Sequence, residues 1–496
     1  MNKTDHSSDQ NGSDAKSRSA WAYLCRPVVI IPTVIITLLF AIPIVYRSTR
    51  LSGIPPIEEI VNREDREFEL DEAENAFSFY RSASAMLPPI TQKTMIDSSI
   101  GLETLKFQRG WESVPEEVRD YVKQSEPALA EWRLGTELDD GVQIDVSTAN
   151  VLTMLPSTQY LREFSRLAIL QTVRCLDEGK PDEAWQWLRA ALRSSRHSGR
   201  HGFHIDRLVG IAIHNMAAQA IAVWATHESV PLADVEKALS EVREIYKLTA
   251  RASATIKVKY AASLNTILGG RKVLDELIEY RAPEQLVGGY LFVNAEPQLS
   301  LVLMRHVFAN VLSQCDLPPW ERAAQRYSRL ALYRPTGKES PPLMDPDRLG
   351  KAVWDSVIAR ELDPGILQVL DKIDNERTRQ FALEVCLLME IYRRQKGEYP
   401  TSMSLLVPEL LPEIPRDWST SSGTDRMLEV QIGFELTADG YPEFPNLPPL
   451  GVAREGRVIY GRGYNGTDDG GQIDTTDDFG IWIPVTPTRE IGESQK

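Results

Sequence analysis

The chain has 496 residues, of which 42% are hydrophobic and 25% charged, the composition of an ordinary globular protein. Its formal net charge of -15 argues against a nucleic-acid binder, because contacts with phosphates need a basic surface. The cysteines are scattered without a CxxC motif, so no disulfide scaffold is predicted. They are Cys25, Cys175, Cys315 and Cys386.

An apolar run without any charged residue lies near the N-terminus, from Val28 to Tyr46. At about 1.5 Å per residue, a helix of this length can cross a hydrocarbon core about 30 Å thick. Two prolines lie inside the run, Pro32 and Pro43, and bilayer helices tolerate such prolines better than soluble helices do. We therefore predict a single membrane span here.

Two other interpretations of the run remain, a buried core helix and a cleaved signal peptide. A core helix this uniformly apolar needs protein on every side. The long polar lead and the lack of a small-residue cleavage motif after Tyr46 argue against a signal peptide. Lys and Arg are nearly balanced on the two flanks, so the positive-inside rule barely decides the orientation. The run has the position of a signal anchor, and we expect a cytoplasmic N-terminus with the bulk of the chain extracytoplasmic.

The body after the run is predicted to be mainly helical, and its clearest unit spans residues 158–196. Two apolar stripes at helical spacing flank the turn sequence DEGKPDEA. Gly179 can end the first helix, and Pro181 suits the first turn of the second. This antiparallel hairpin resembles one tetratricopeptide-type repeat, although no 34-residue period recurs elsewhere to make a tandem array. The matching small and apolar positions are Gly179, Ala184, Leu188 and Ala191.

Other stretches also have helical patterns, and after Gly397 proline, glycine and short β-type runs predict a small α+β module. The predicted helices are Glu74–Leu87, Val114–Gly135, Ile205–Trp224, Leu232–Ala250, Ala252–Leu268, Val273–Tyr280, Gln298–Leu312 and Glu376–Arg394. The predicted order is a disordered polar tail at 1–27, a transmembrane helix at 28–46, a linker at 47–72, a helical domain at 73–317, a proline-rich connection with short helices at 318–375, a long helix with the α+β module at 376–486, and a tail at 487–496.

The sequence EIYRRQKGEYPTSMSLLVPELLPEIPRDW, from Glu390 to Trp418, resembles uncharacterised membrane-anchored proteins of planctomycete-type bacteria. In that family a helix ends in a Gly-x-Tyr-Pro turn, followed by Leu-Val-Pro, Leu-Pro and Pro-x-Asp-Pro steps. Trp418 stands where the last proline is usual. The segment Tyr460–Pro484 is similar to the same family's end. The matching residues are Gly397, Tyr399, Pro400, Leu406, Val407, Pro408, Leu411, Pro412, Pro415 and Asp417.

More distantly, Gly397–Pro484 is similar to the globular part of the major pseudopilin of type II secretion, whose acidic terminal loop binds calcium. The resemblance implies a calcium site in GTDDGGQIDTTDD, where carboxylates lie among glycines that let a loop fold around a hard cation. A solvated acidic turn is the other interpretation. The candidate ligands are Asp468, Asp469, Asp474, Asp477 and Asp478.

A second candidate metal site is the histidine cluster in RHSGRHGFHID, with His197, His201 and His204. Neutral imidazoles can share a zinc ion. Gly199 and Gly202 interrupt the helical spacing between them, and no HExxH motif is present. A polar turn between two helices is therefore the alternative.

The sequence leaves three functional hypotheses. The first is a non-enzymatic, membrane-anchored scaffold that binds protein partners. The second is an envelope metal-dependent hydrolase that uses the three histidines, and the third is a pseudopilin-like component of a secretion apparatus. No GxSxG, Walker or dinucleotide motif occurs in a usable context, which favours the first hypothesis and a non-catalytic role.

Overall fold

The protein is mainly helical with one small sheet in the residues that the computed structural model describes. These are 27–52, 54, 57, 59–61, 70–89, 101, 105, 110–155, 157–269, 276, 296–322, 346–362, 366–422, 424–435, 453–463, 465–471 and 479–484. The helices are α1 (Pro27–Leu51), α2 (Ala76–Met86), α3 (Glu116–Gln124), α4 (Glu126–Thr136), α5 (Ser157–Asp177), α6 (Pro181–His197), α7 (His204–Thr226), α8 (Leu232–Lys247), α9 (Ala252–Leu268), α10 (Glu296–Leu312), α11 (Pro346–Asp355), α12 (Val357–Leu362) and α13 (Ile366–Lys396). The strands are β1 (Leu428–Glu435), β2 (Ala453–Gly461) and β3 (Phe479–Pro484).

Helix α1 carries apolar side chains on its surface. Ile31, Ile36 and Val45 are 58%, 54% and 62% exposed. By length and composition alone, one helix in the described part of the chain could cross a membrane, and it is α7. Its most apolar stretch is 72% buried inside the protein, as in a core helix, and the stretch Ile30–Leu39 within α1 is shorter.

Helices α5 and α6 pack on each other and are joined by a short turn. Gly179 in this turn has φ +71°, a left-handed conformation that favours glycine, and Lys180 donates its backbone N–H to Cys175 O at 2.7 Å. Pro181 then opens α6 as its first residue. The glycine and the proline therefore act where the sequence predicts a helix end and a helix start.

Helix α7 is the centre of the larger hydrophobic core, and it contacts α5, α6, α13 and β3. Ala220, Ile221 and Trp224 are fully buried along it. Gly210 lets α7 approach α6 closely, because a Cβ at this position would come within 2.7 Å of Ser195 O. Because protein buries α7 on several sides, the high hydropathy of this helix does not require a membrane.

A second hydrophobic core lies among α9, α10, α11 and α12, and it includes residues that follow α1. Ile57, Ile60 and Val61 pack into it beside Val307 and Phe308 of α10. The first part of α13 adds Leu370 to this core, whereas its later residues belong to the larger core. Helix α13 thus connects the two cores.

The three strands form an antiparallel sheet in the order β1-β2-β3. Strand β3 packs against α13 and α7. Gln219 of α7 donates its side-chain amide to Trp482 O at 2.6 Å, and its carbonyl oxygen accepts from Trp482 N at 3.1 Å. The amide of Gln219 thus satisfies backbone groups on the side of β3 where the described residues place no further strand.

Three predicted elements differ clearly from the described ones. Helix α1 continues to Leu51, into the predicted linker at 47–72. The predicted helix Val114–Gly135 is divided at Ser125 into α3 and α4, and Pro127 sits in the first turn of α4. The last long helix begins at Ile366 instead of Glu376, and its residues Leu370 and Ile373 pack into the second core. The predicted helix Val273–Tyr280 lies outside the described residues, apart from residue 276.

Candidate functional site

Three buried charged side chains meet where α6, α7 and α13 come together. Arg196 donates from Nη2 to Glu376 Oε1 at 2.5 Å, and Arg207 donates from Nη2 to Glu376 Oε2. All three side chains are at most 1% exposed. The turn before α7 fixes Arg207: Gly199 has φ +81°, and a Cβ there would lie 2.3 Å from Arg207 Cα.

The electrostatics of this cluster keep Glu376 ionised. Burial opposes its charge, but Arg196 and Arg207 outweigh burial and lower the pKa of Glu376 to about 2. Burial and Arg196 lower the pKa of the neighbouring His214 to about 3, so this imidazole stays neutral. The buried cluster therefore holds two positive charges and one negative charge.

A cavity of about 300 Å³ borders the cluster. Its buried floor includes Arg207, Asp374 and Glu376, and its exposed rim includes Arg251 and Arg377. This volume is at the lower end of the range for small-molecule pockets, about 300–1,000 Å³. The cavity thus joins a buried charged floor to solvent.

The carboxylates that line the cavity each have a partner within the protein. Asp374 accepts two hydrogen bonds from Arg322, one of them at 2.9 Å, and burial raises the pKa of Asp374 to about 6. Asp316 accepts from the backbone and hydroxyl of Ser253, at 2.9 and 2.6 Å, and so caps the start of α9. Glu376 is held by its two arginines.

Three of the four arginines that line the cavity, Arg207, Arg251 and Arg377, are less completely paired than the fourth, Arg322. Within the described residues, Nε and Nη1 of Arg207 have no hydrogen-bond partner. No carboxylate forms an ion pair with Arg251 or Arg377 in the same part of the chain, and the Arg377 guanidinium lies 4.5 Å from the centre of the Trp418 ring. Burial raises the pKa of the Cys315 thiol in the cavity wall, which keeps that sulfur protonated. The arrangement is suited to binding rather than to nucleophilic chemistry.

The structure places the predicted histidine cluster in separate environments. His197 is buried, its Nδ1 lies 2.6 Å from Tyr80 Oη and its Nε2 lies 2.9 Å from Leu138 O. His201 pairs with Asp140 through Nε2 at 2.9 Å, and burial lowers the pKa of His204 to about 4. Both ring nitrogens of His197 thus have protein partners, and zinc binding by the three histidines stays a prediction.

The described residues contain no group of three His, Cys, Asp or Glu side chains that could hold a metal ion. Of the predicted calcium ligands, Asp474, Asp477 and Asp478 lie outside the described residues. Asp468 accepts hydrogen bonds from Tyr460 Oη at 2.8 Å and Gly470 N at 3.0 Å, and Asp469 follows it in the same turn. Calcium binding by this loop stays a prediction.

The motif Glu390–Trp418 contains two buried carboxylates that hold the module together. Glu390 accepts from Arg393 and Arg394 in its own helix and from Tyr399 Oη at 2.8 Å. Asp417 is fully buried and joins the segment before β1 to the end of β2. This segment therefore forms a folded junction within the module.

Comparisons with protein-family models, with curated proteins and with solved structures each returned no match for this chain.

Sequence reasoning missed Arg196, Arg207 and Glu376. Arg207 stands at the start of an apolar helical stretch, whereas Arg196 and Glu376 lie in polar stretches that give no such signal. Their pairing, across 180 and 169 positions, is not encoded in any local spacing.

Proposed function

We propose that this chain is a membrane-anchored helical scaffold, with its body on the extracytoplasmic side, that binds protein partners. The observation that carries the proposal is the surface of α1. The isoleucine, leucine and valine side chains of α1 that the structure describes are about half exposed. An apolar surface of this kind is unfavourable in water, and it becomes stable when lipid or another protein covers it.

The geometry where α1 ends supports the anchor. Arg348 of α11 donates to Ser52 O at 3.3 Å, and Arg305 of α10 donates to Ile57 O at 3.3 Å. These contacts hold the body against the chain that leaves α1. In the proposed arrangement, α10 and α11 therefore lie on the membrane-proximal side of the body.

The partner-binding role rests on the helical body. We propose that α5 and α6 form a tetratricopeptide-like hairpin, as the sequence resemblance implies, and that such stacked helices present surfaces for other proteins. Complexes extracted in a mild non-denaturing detergent should migrate well above the size of one chain. A uniform monomer after extraction from its native membrane would contradict this part of the proposal.

The anchor is tested by placing charges on α1. Ile35 and Leu38 are both about half exposed, and each arginine at the centre of a spanning helix costs about 2.5–3.5 kcal/mol. We expect the unmodified chain to stay in the membrane pellet after alkaline carbonate washing, and the Ile35→Arg, Leu38→Arg variant to become extractable. The matched control is Ile35→Leu with Leu38→Ile, which should remain in the pellet. A charged variant that stays with the pellet contradicts the anchor.

A further inference from the structure

We propose that the cavity between α7, α9 and α13 is a binding site for a small oxyanion, a carboxylate or phosphate group. The proposal does not depend on the membrane anchor. It rests on the positions of three arginines around one space: Arg207 at the buried floor, and Arg251 and Arg377 at the exposed rim.

The first step concerns hydrogen-bond donors of the Arg207 side chain that lack a partner. Its side chain is fully buried, and two of its nitrogens have no partner among the described residues. A buried donor that lacks a partner destabilises the fold. Arg207 also lines the adjoining cavity, and an oxyanion that reached these donors would gain the stronger, charge-assisted hydrogen bonds.

The second step is the local charge. The lining carboxylates are already engaged, Glu376 by two arginines, Asp374 by Arg322 and Asp316 by Ser253. Ser253 is neutral and leaves the charge of Asp316 uncompensated, but four arginines and three carboxylates line the cavity among the described residues. The lining therefore has an excess of one positive charge, although the whole chain carries a net charge of -15. Positive charge concentrated in a concave, partly desolvated place attracts anions more strongly than the same charge spread over a surface.

The third step is access and specificity. The Arg377 guanidinium stacks near Trp418, which limits its orientations and so lowers the entropy lost on binding. Arginine presents a planar set of donors that matches carboxylate and phosphate oxygens. With about 300 Å³, the site has room for a small organic acid or a phosphate, but not for a folded domain.

The test is isothermal titration of the full chain in detergent with inorganic phosphate and, separately, with succinate, at constant ionic strength. We expect saturable binding of at least one of these probes. Arg377→Gln should weaken it at least tenfold, and Arg251→Gln should weaken it too. Arg243→Gln is the matched control, because Arg243 is an exposed arginine on α8 that pairs with Glu384 and does not line the cavity.

Three results would overturn the proposal. One is the lack of saturable binding of both probes up to about ten millimolar; another is equal affinity in the double variant Arg251→Gln, Arg377→Gln and the unmodified chain. The third is an equal loss in Arg243→Gln, which would show only general screening of charge. Arg207 is left unchanged in these variants because it also neutralises Glu376. Equal melting temperatures of the titrated proteins check that they are folded.

Discussion

Arg196 and Glu376 form an ion pair that is excluded from solvent, with Nη2 and Oε1 2.5 Å apart and side-chain exposures of 0% and 1%. The pair joins the end of α6 to α13, and Arg207 adds the start of α7 to the same carboxylate. The contact therefore fixes the mutual positions of three helices. It also positions the arginine that forms the cavity floor.

The first prediction concerns Glu376. Glu376→Gln keeps the shape of the side chain but leaves two buried guanidiniums without a counter-charge, which costs about 3–5 kcal/mol of folding free energy. The measurement is the free energy of unfolding in urea. Glu384→Gln on the same helix removes a partly exposed pair with Arg243 and should cost less than about 1 kcal/mol. Equal losses in the two variants would contradict the role of the buried pair.

The second prediction concerns pH and Asp206. Burial raises the pKa of Asp206 from 3.8 to about 7, so the folded state holds a proton that the unfolded state has lost between these values. The contribution of Asp206 to the free energy of unfolding therefore falls as the pH rises from about 4 to 7. In Asp206→Asn, the melting temperature should fall less over this range than in the unmodified chain.

The control for pH is Asp145→Asn. Asp145 is exposed, and hydrogen bonds from Ser147 lower its pKa, so its contribution is complete above pH 4 and constant from there to pH 7. If the melting temperature of Asp206→Asn changed with pH as steeply as that of the unmodified chain, Asp206 would not titrate between pH 4 and 7.

The third prediction concerns Asp417. Its carboxylate accepts from Ser419 N at 2.8 Å and from Arg462 N at 2.7 Å, and a Cβ on Gly461 would lie 2.2 Å from its Oδ1. Asp417→Ala leaves buried donors unpaired, and we expect a loss of about 2–4 kcal/mol. Hydrogen exchange of the β2 amides should become faster.

A surface carboxylate is the comparison for Asp417. Glu413 is exposed and pairs with Arg426 at 3.0 Å, so Glu413→Ala should change stability by less than about 1 kcal/mol. If exchange in β2 were unchanged by Asp417→Ala, the junction would not depend on this carboxylate.

The fourth prediction concerns Trp354 and follows from the proposed anchor. Trp354 is 70% exposed on α11, the helix whose Arg348 contacts Ser52 O next to α1. Tryptophan favours the lipid headgroup region, because its ring is apolar and its N–H is polar. In liposomes, brominated lipids should quench less fluorescence from Trp354→Phe than from the unmodified chain. Trp320→Phe is the control, and a larger effect there would contradict this orientation.

Local sequence signals were sufficient for much of the fold. Gly179 and Pro181 mark the turn between α5 and α6, and the apolar spacing after His204 marks α7. The start of α13 was missed because the sequence from Asp371 to Arg379 is mostly polar, and its buried positions depend on the packing of two cores. Local patterns give helices, but they do not say which helices share a core.

The candidate site was less predictable than the fold. The sequence directs attention to His197, His201 and His204, whereas the charged cavity is built around Arg207 and Glu376. Its residues come from segments far apart in the chain, and what distinguishes them is burial and incomplete pairing. Both properties depend on tertiary structure, so neither can be obtained from residue type or spacing.

The most direct test of the central claim, an anchored body on the extracytoplasmic side, is labelling of spheroplasts with a membrane-impermeant maleimide. The described cysteines Cys175, Cys315 and Cys386 are buried, and Glu244 is exposed, so Glu244→Cys with Cys25→Ser gives a reporter on the body. The account predicts that the reporter at position 244 is labelled before lysis. In the unmodified chain, it predicts that Cys25 is labelled only after lysis. Labelling of Glu244→Cys only after lysis would contradict it.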